Sequence, residues 1–252
     1  MQQNYQADHL FFPERLQPIA LKPNIDTENE ENNISTLNDE LKKLYFSAYK
    51  IWDYILDEYL EYYQEKYRQE KKLGEWFKNF RSLEQVGPLM RTNVLKRFES
   101  SIHAFKITIK KIKTACIERY EEIFKKKTAD LESNWQETDW EDEEDVSELI
   151  ASNWIKAKRE HVDLYKMKFE LEHDIQILDN IIAIFEPIDA SRDQKLKEVI
   201  QIIKQKINNP FNEQNKKVIV FTSFVDTAKY LYENIKQIFL KDKIPTLLTH
   251  AN

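Results

Sequence analysis

A glutamate and a histidine at the spacing of metal-binding helices are the first residues here that could do chemistry. Glu170 and His173 stand three positions apart. In di-iron helical bundles, two copies of this pattern and further glutamates on other helices hold the metal. The sequence has no second copy, so a metal site at these two residues is not favoured. Cys116 is the only cysteine, which excludes a disulfide framework and a thiolate metal cluster.

The glycines exclude nucleotide chemistry of the P-loop type. A P-loop needs two glycines five positions apart, followed by lysine and a hydroxyl residue, so that backbone amides surround the phosphates. The only two glycines, Gly74 and Gly87, are 13 positions apart. Asp57 and Glu58 lie inside a predicted helix, whereas a magnesium-binding acidic pair would follow a buried strand. We therefore predict no catalytic residue in this chain.

Composition points to a helical protein. Charged residues make up 33% of the 252 residues and only two residues are glycine, which favours long helices over a complete α/β enzyme. The net charge of −6 provides no overall attraction to nucleic acid, although it leaves room for a local basic stripe. No apolar run approaches 18 residues and no signal peptide is recognised. We predict a cytoplasmic protein with no membrane partner.

Apolar residues at three- and four-residue intervals predict three long helices. The first spans about residues 35–68, and the second starts at Pro88 and continues for about 40 residues. The third runs from Trp154 to Phe185. An acidic block at residues 137–148 separates the last two helices, so we predict an antiparallel helical hairpin.

The last part of the chain predicts strands as well as helices. Residues 193–208 predict one more helix, and residues 217–221, with four apolar residues in a row at 218–221, predict a buried parallel strand. Ser223 is suited to cap the helix that follows, with Asp226 at the acidic position of a capping box. A second short strand is predicted at residues 246–249, which would complete a βαβ unit.

Residues 89–101 of this chain read Leu-Met-Arg-Thr-Asn-Val-Leu-Lys-Arg-Phe-Glu-Ser-Ser. This segment resembles the region between the two lobes of bacterial Swi/Snf-like helicases. The subgroup is the one related to the RNA-polymerase-associated ATPase and to helicases with phospholipase-D-like domains, which show the pattern Met-Arg…Leu-Lys-Arg-Leu-Glu-Ser-Ser. With the residues that follow, the resemblance covers residues 89–105.

A second segment resembles the same family independently. Residues 193–196, Asp-Gln-Lys-Leu, and residues 218–228 are similar to the entry into the second RecA-like lobe of these helicases. Residues 221–224, Phe-Thr-Ser-Phe, match helicase motif four. This part of the resemblance covers residues 190–252. The long hairpin between the two segments resembles the helical insertion that these helicases carry.

The resemblance implies an ATP-driven motor on double-stranded DNA. Its nucleotide-binding motifs would precede this chain and its arginine motif would follow it, so we interpret the chain as an interior fragment that is inactive alone. ATP and magnesium would bind the complete protein, and no cofactor is expected on the fragment. The expected fold is mainly α, with a long helical hairpin or bundle followed by the first βαβ unit of a RecA-like lobe. The expected divisions are an irregular strap at 1–34, a helical inter-lobe region at 35–189 and the start of the second lobe at 190–252.

The resemblance also implies five nucleic-acid-binding candidates: Arg91, Lys96, Arg97, Thr222 and Ser223. The three cations would contact phosphates or bridge the lobes, and the two hydroxyl residues would meet a phosphate at a helix N-terminus. The alternative is structural, with Lys96 and Arg97 pairing with Glu99 and Ser223 acting only as a cap. We expect weak binding of duplex DNA, helped by further lysines on the second helix: Lys106, Lys110 and Lys113.

A different class of function is also consistent with the sequence. The chain would then be a non-enzymatic helical scaffold whose hairpin binds a protein partner. The apolar positions of the hairpin and its acidic loop suit that role. A P-loop upstream of this chain and an arginine motif downstream would separate the two interpretations.

Overall fold

The computed structural model describes residues 17–68, 86–126, 130–131, 156–210 and 215–240. The predicted mainly helical class is confirmed in these residues. The helices are α1 (Ile34–Leu41), α2 (Asp57–Arg68), α3 (Val86–Ser100), α4 (Ile102–Tyr120), α5 (Leu164–Phe185), α6 (Gln194–Asn208) and α7 (Val225–Phe239). A π-helical turn, Glu121–Lys125, continues α4. Strands β1 (Asp130–Leu131) and β2 (Ala157–Lys158) form a short antiparallel ladder. No described helix is both long and apolar enough to cross a membrane.

The first predicted long helix is wrong, because the chain leaves the helical path between α1 and α2. Phe46 has a φ of 56°, in the left-handed region, and two short 3₁₀ turns follow it. The buried carboxylate of Asp174 on α5 holds this segment by accepting hydrogen bonds from the backbone N–H groups of Tyr45 and Ser47 and from the Ser47 hydroxyl. A distant carboxylate therefore overrides the local periodicity.

The second predicted long helix is interrupted at Ser101. This residue has extended backbone angles, φ −160° and ψ 149°, and its side-chain oxygen accepts a hydrogen bond from the N–H of Ala104. Ser101 is therefore the N-cap of α4 and ends the path of α3. The third predicted helix ends at Phe185, as the sequence indicates, but it starts at Leu164, where Asp163 caps it.

Helices α4 and α5 form an antiparallel hairpin. Lys110 near the middle of α4 pairs with Glu186 just beyond the end of α5, whereas Tyr120 at the end of α4 donates a hydrogen bond to Glu172 near the middle of α5. The β1–β2 ladder lies on the path between the two helices. The acidic block at residues 137–148 lies outside the described residues.

Two separate hydrophobic clusters stabilise the described residues. The larger one is built from α1 to α5, and its centre includes Phe98, Phe105 and Phe185, which meet edge to face with ring centroids 5.0–5.3 Å apart. The smaller one joins α6 to α7 through Ile203 and Phe239, with Ile235 between them. The unit formed by α6 and α7 therefore has a core of its own.

The predicted strand at residues 217–221 is not formed, and the βαβ unit is not observed. Ile219 and Phe221 are 77% and 89% exposed. A buried parallel strand needs neighbours on both sides, and no described residue pairs with this segment. The second predicted strand, residues 246–249, lies outside the described residues.

The described part of the N-terminal strap is irregular up to α1 and is fastened to the start of α6. Asp26 forms an isolated antiparallel bridge with Asp193. Its buried carboxylate accepts hydrogen bonds from Arg192 Nε at 3.1 Å and Nη2 at 2.5 Å, and from Asn32 Nδ2 at 2.7 Å. Asn33 then caps α1. The first 16 residues of the predicted strap lie outside the described residues.

Candidate functional site

The two segments that resemble Swi/Snf-like helicases meet where α3 turns into α4. We call this contact the α3/α7 interface, and it comprises Arg97, Ser100, Ser101, Thr222, Phe224, Asp226 and Thr227. The hydroxyl oxygens of Ser100 and Ser101 each lie 2.8 Å from the hydroxyl oxygen of Thr227. Arg97 Nη1 lies 3.4 Å from Asp226 Oδ2, and the guanidinium lies 4.8 Å from the centre of the Phe224 ring.

Local backbone structure explains why these side chains converge. The break at Ser101 turns the chain, so the side chains of two consecutive serines reach the same threonine. Asp226 lies in the first turn of α7, where the helix dipole favours a negative charge, and its carboxylate also faces Arg97. Thr227 is buried one residue further on. The interface is therefore polar, although it lies between two hydrophobic clusters.

A second contact beside the interface involves His103 and Tyr230. Their rings stack with centroids 4.9 Å apart and an interplanar angle of 5°. The Tyr230 hydroxyl donates a hydrogen bond to Asp193 Oδ2 at 2.9 Å, while Asp193 Oδ1 caps α6 at the N–H of Leu196. Burial and the neighbouring Asp193 carboxylate raise the pKa of Tyr230, so its hydroxyl remains a donor at neutral pH.

The predicted site residues occupy three different environments. Arg97 is only 6% exposed and faces Asp226, so this cation bridges α3 and α7. Thr222 is part-buried, with its hydroxyl 3.4 Å from that of Ser100. Lys96 and Ser223 are exposed beside the interface, and Arg91 is partly exposed on α3, six positions before Arg97. The structure therefore brings Arg97 and Thr222 to one interface, leaves Lys96 and Ser223 exposed beside it, and buries the Nε atom of Arg91, which has no hydrogen-bond partner among the described residues.

Two predictions about the start of α7 are wrong. The helix begins at Val225, and its N-cap is Phe224, which makes no side-chain capping bond, so Ser223 is not the cap. Asp226 does not complete a capping box, because its carboxylate faces Arg97. The sequence pattern assigned Asp226 to the N-terminus of α7, but in the structure its carboxylate makes a tertiary contact with Arg97 of α3.

The lysines of the expected basic stripe along α4 make contacts with the end of α5. Lys106 Nζ donates hydrogen bonds to the carbonyl oxygens of Glu186 and Ile188 at 2.7 and 2.8 Å. Lys110 pairs with Glu186 at 3.0 Å, and Lys113 with Asp179 at 2.5 Å. Burial lowers the pKa of Lys106. These lysines hold the hairpin together, and their contribution to DNA binding stays a prediction.

The residues considered for metal or thiol chemistry take part in the fold. Glu170 accepts a hydrogen bond from the Tyr54 hydroxyl at 2.6 Å, and His173 Nε2 lies 3.2 Å from the backbone oxygen of Lys43. Among the described residues, no group of three or more His, Cys, Asp or Glu side chains is arranged to hold a metal ion. Burial raises the pKa of the Cys116 thiol, so thiolate chemistry is disfavoured there.

Sequence reasoning missed Asn93, which is fully buried on α3. Neither atom of its side-chain amide has a hydrogen-bond partner among the described residues. It lies four positions before Arg97 and therefore on the same helix face. The only sequence signal for Asn93 was that a polar residue occupies a position that the helical period predicts to be buried.

The groups of the α3/α7 interface are suited to positioning helices. It contains four hydroxyl groups, one guanidinium and one carboxylate, and none of its hydroxyls is hydrogen-bonded to a histidine in the described residues. Its exposed edge, with Lys96 and Ser223, offers a cation and a hydroxyl to solvent. Searches for a matching family, a similar curated protein or a similar solved structure find none for this chain.

Proposed function

We propose that this chain is part of an ATP-dependent DNA translocase of the Swi/Snf type, and that it supplies the inter-lobe helical region and the start of the second lobe. One observation carries the proposal. Ser101 and Thr227, one from each of the two segments that resemble this family, are 126 positions apart in sequence, and their hydroxyl oxygens lie 2.8 Å apart. This contact supports the proposal, because an inter-lobe region must be joined to the lobe that follows it.

In this proposal, the α3/α7 interface transmits force between the inter-lobe region and the second lobe. Arg97 and Asp226 bridge the two parts, and the serine and threonine hydroxyls fix their separation. ATP and magnesium would be bound by parts of the complete protein outside this chain. Lys96, Arg91 and Ser223, at the periphery, would contact DNA phosphates, which positions a motor without reading sequence.

A second candidate function is a scaffold that binds another protein, and the surface of α5 favours it. Tyr165 and Phe169 are 88% and 62% exposed on one face of that helix. Large exposed aromatic residues are enriched in protein–protein interfaces. The two functions are compatible, because a hairpin inserted in a motor can recruit a partner.

The test measures binding of duplex DNA by fluorescence anisotropy at two salt concentrations. The variant Arg91→Glu/Lys96→Glu changes two peripheral cations and spares the buried Arg97. We expect it to weaken binding and to reduce the salt dependence by about 0.9 per lost phosphate contact. The control Lys42→Glu/Lys125→Glu changes the charge equally on exposed residues elsewhere.

The same two variants are then placed in the complete protein. We expect the Arg91→Glu/Lys96→Glu change to lower DNA-stimulated ATP hydrolysis and to leave basal hydrolysis unchanged. The isolated chain of 252 residues should hydrolyse no ATP. Equal DNA affinity of test and control variants, together with equal stimulated hydrolysis, would refute the proposed role and favour the scaffold.

A further inference from the structure

Charge is unevenly distributed along this acidic chain. Residues 1–190 contain 27 Lys and Arg residues against 38 Asp and Glu residues. Residues 191–252, which include α6 and α7, contain 11 Lys and Arg residues against 6 Asp and Glu residues. The overall net charge therefore hides a basic C-terminal part, and a polyanion would be attracted to that part and repelled by the rest.

The outward side of α6 displays this positive charge. Four residues at helical spacing are exposed along it, and we call them the α6 outer face: Lys197, Gln201, Lys204 and Asn208. All four can donate hydrogen bonds and none is a carboxylate. Glu198, the one acidic residue within α6, lies to the side and accepts a hydrogen bond from Gln194.

The lysines of this face differ from those of the hairpin in having no carboxylate partner in the part of the chain that the structure describes. On α4, Lys110 and Lys113 are paired with acidic residues of the α5 end. Lys197, in contrast, reaches only the hydroxyl of Thr27, at 3.3 Å, and Lys204 pairs with no carboxylate among the described residues. An exposed lysine without a carboxylate partner is available to neutralise a phosphate, which releases the counterions condensed on the polyanion and favours binding.

Two more lysines extend the positive surface beyond the end of α6. Lys216 and Lys217 are exposed, and neither forms an ion pair with a described residue. Lys216 is eight positions after Asn208, the last residue of α6, so the chain length keeps it within about 28 Å of the end of the helix. The smaller hydrophobic cluster holds α6 in place, so its outer face is presented by a packed helix.

We infer that the α6 outer face, together with Lys216 and Lys217, binds the phosphate backbone of duplex DNA. Lysine, glutamine and asparagine are side chains that donate to phosphates, and they carry no base specificity when they do so. From Lys197 to Asn208 the face extends about 16 Å, the rise of about five base pairs. The choice of DNA as the polyanion rests on the proposed function, whereas the surface itself rests on charge and exposure.

The experiment compares two triple variants of the full chain. Lys204→Glu/Lys216→Glu/Lys217→Glu reverses three cations of the proposed surface. The control, Lys42→Glu/Lys125→Glu/Lys168→Glu, makes the same change of net charge on exposed lysines of the helical region. Circular dichroism and thermal unfolding check that both variants keep the wild-type fold, which we expect because every substituted side chain is exposed.

Binding of a fluorescent duplex is measured by anisotropy between about 50 and 200 mM salt. We expect the test variant to bind at least tenfold more weakly at low salt, with a salt slope smaller by about 3, since each phosphate contact contributes about 0.9. The control should keep a slope close to that of the wild type. A test variant that matches the control in affinity and slope would overturn the inference.

Two further outcomes separate this inference from the proposed function. If Arg91→Glu/Lys96→Glu abolishes binding while the α6 triple variant binds normally, the inference is wrong and the proposed function stands. If the wild-type α6 surface prefers an acidic peptide to duplex DNA, and the triple variant loses that preference, the assignment to DNA is overturned. Loss of DNA binding in the α6 triple variant alone supports the inference independently of the α3/α7 interface.

Discussion

The carboxylate of Asp26 fastens the N-terminal strap to the start of α6, and Asp26→Asn removes its charge with little change of shape. Oδ1 accepts hydrogen bonds from Arg192 Nε and the N–H of Glu28, and Oδ2 from Arg192 Nη2 and Asn32 Nδ2. In Asp26→Asn, an NH₂ group would replace one of the two carboxylate oxygens. That group would face hydrogen-bond donors and could not accept from them. We therefore expect the variant to be less stable at neutral pH.

The magnitude follows from the pKa of this carboxyl group. Burial alone would raise the pKa of Asp26, but hydrogen bonds from Arg192, Glu28 and Asn32 outweigh burial and lower it from 3.8 to about 2. A pKa unit corresponds to about 1.4 kcal/mol, so the charged form is stabilised on folding by about 2 kcal/mol. Because the pKa is lower in the folded state, this stabilisation is complete above about pH 5 and is lost as the pH falls toward 2.

Urea unfolding followed by circular dichroism measures the effect. At pH 7 we expect Asp26→Asn to lower the free energy of unfolding by about 2 kcal/mol, and near pH 3 by about half as much. The control Asp39→Asn removes one partner of the exposed pair with Lys42 and should cost less than about 1 kcal/mol. A variant as stable as the wild type at pH 7, or a difference that does not narrow in acid, would refute the reasoning.

Two predictions concern packing and capping. Ile109→Asp places an unpaired carboxylate in the core of the hairpin and should cost several kcal/mol; a melting temperature equal to that of the exposed control Thr114→Asp would contradict the assignment of this core. Ser101→Ala removes the cap of α4 and the contact with Thr227 and should cost about 1–2 kcal/mol. A double-mutant cycle with Thr227→Val should give a coupling above about 0.5 kcal/mol, and additive effects would mean that the two hydroxyls do not interact.

Sequence reasoning succeeded where the signals are local. It located α6, because Asp193 is a strong N-cap and the apolar residues of the helix follow one period. It located the end of α5, because Pro187 cannot continue a helix with its missing N–H. Both boundaries are decided by residues within one turn of them, so no tertiary information was needed.

It failed where a distant residue decides the backbone. The segment between α1 and α2 has helical periodicity, but Asp174, 127 positions away from Ser47, captures its N–H groups. The partners of the α4 lysines could not be predicted for the same reason. A periodic pattern shows which face is exposed, but it does not show that Glu186 and Asp179 of the neighbouring segment face those lysines.

The candidate site was predicted only in part. Arg97 and Thr222 were found through their motifs, and they do lie at one interface. Their partners could not be identified, because pairing Ser101 with Thr227 requires knowing how α7 approaches the break between α3 and α4. The stacking of His103 on Tyr230 had no sequence signal at all.

Because the α6–α7 unit has a hydrophobic cluster of its own, a rotation at its contact with α3 and α4 would move the hairpin as a lever. Helix α4 has 19 residues and is therefore about 28 Å long, and its first turn lies against the polar α3/α7 interface. If the α6–α7 unit and the hairpin rotate relative to each other by about 10° at this contact, the far end of α4 moves by about 5 Å. This interface combines hydrogen bonds, one ion pair and the contact of Arg97 with the Phe224 ring, and it yields to such a rotation more readily than an interdigitated apolar core does. A small rotation at Ser101 therefore produces a displacement of several ångströms at the far end of the hairpin.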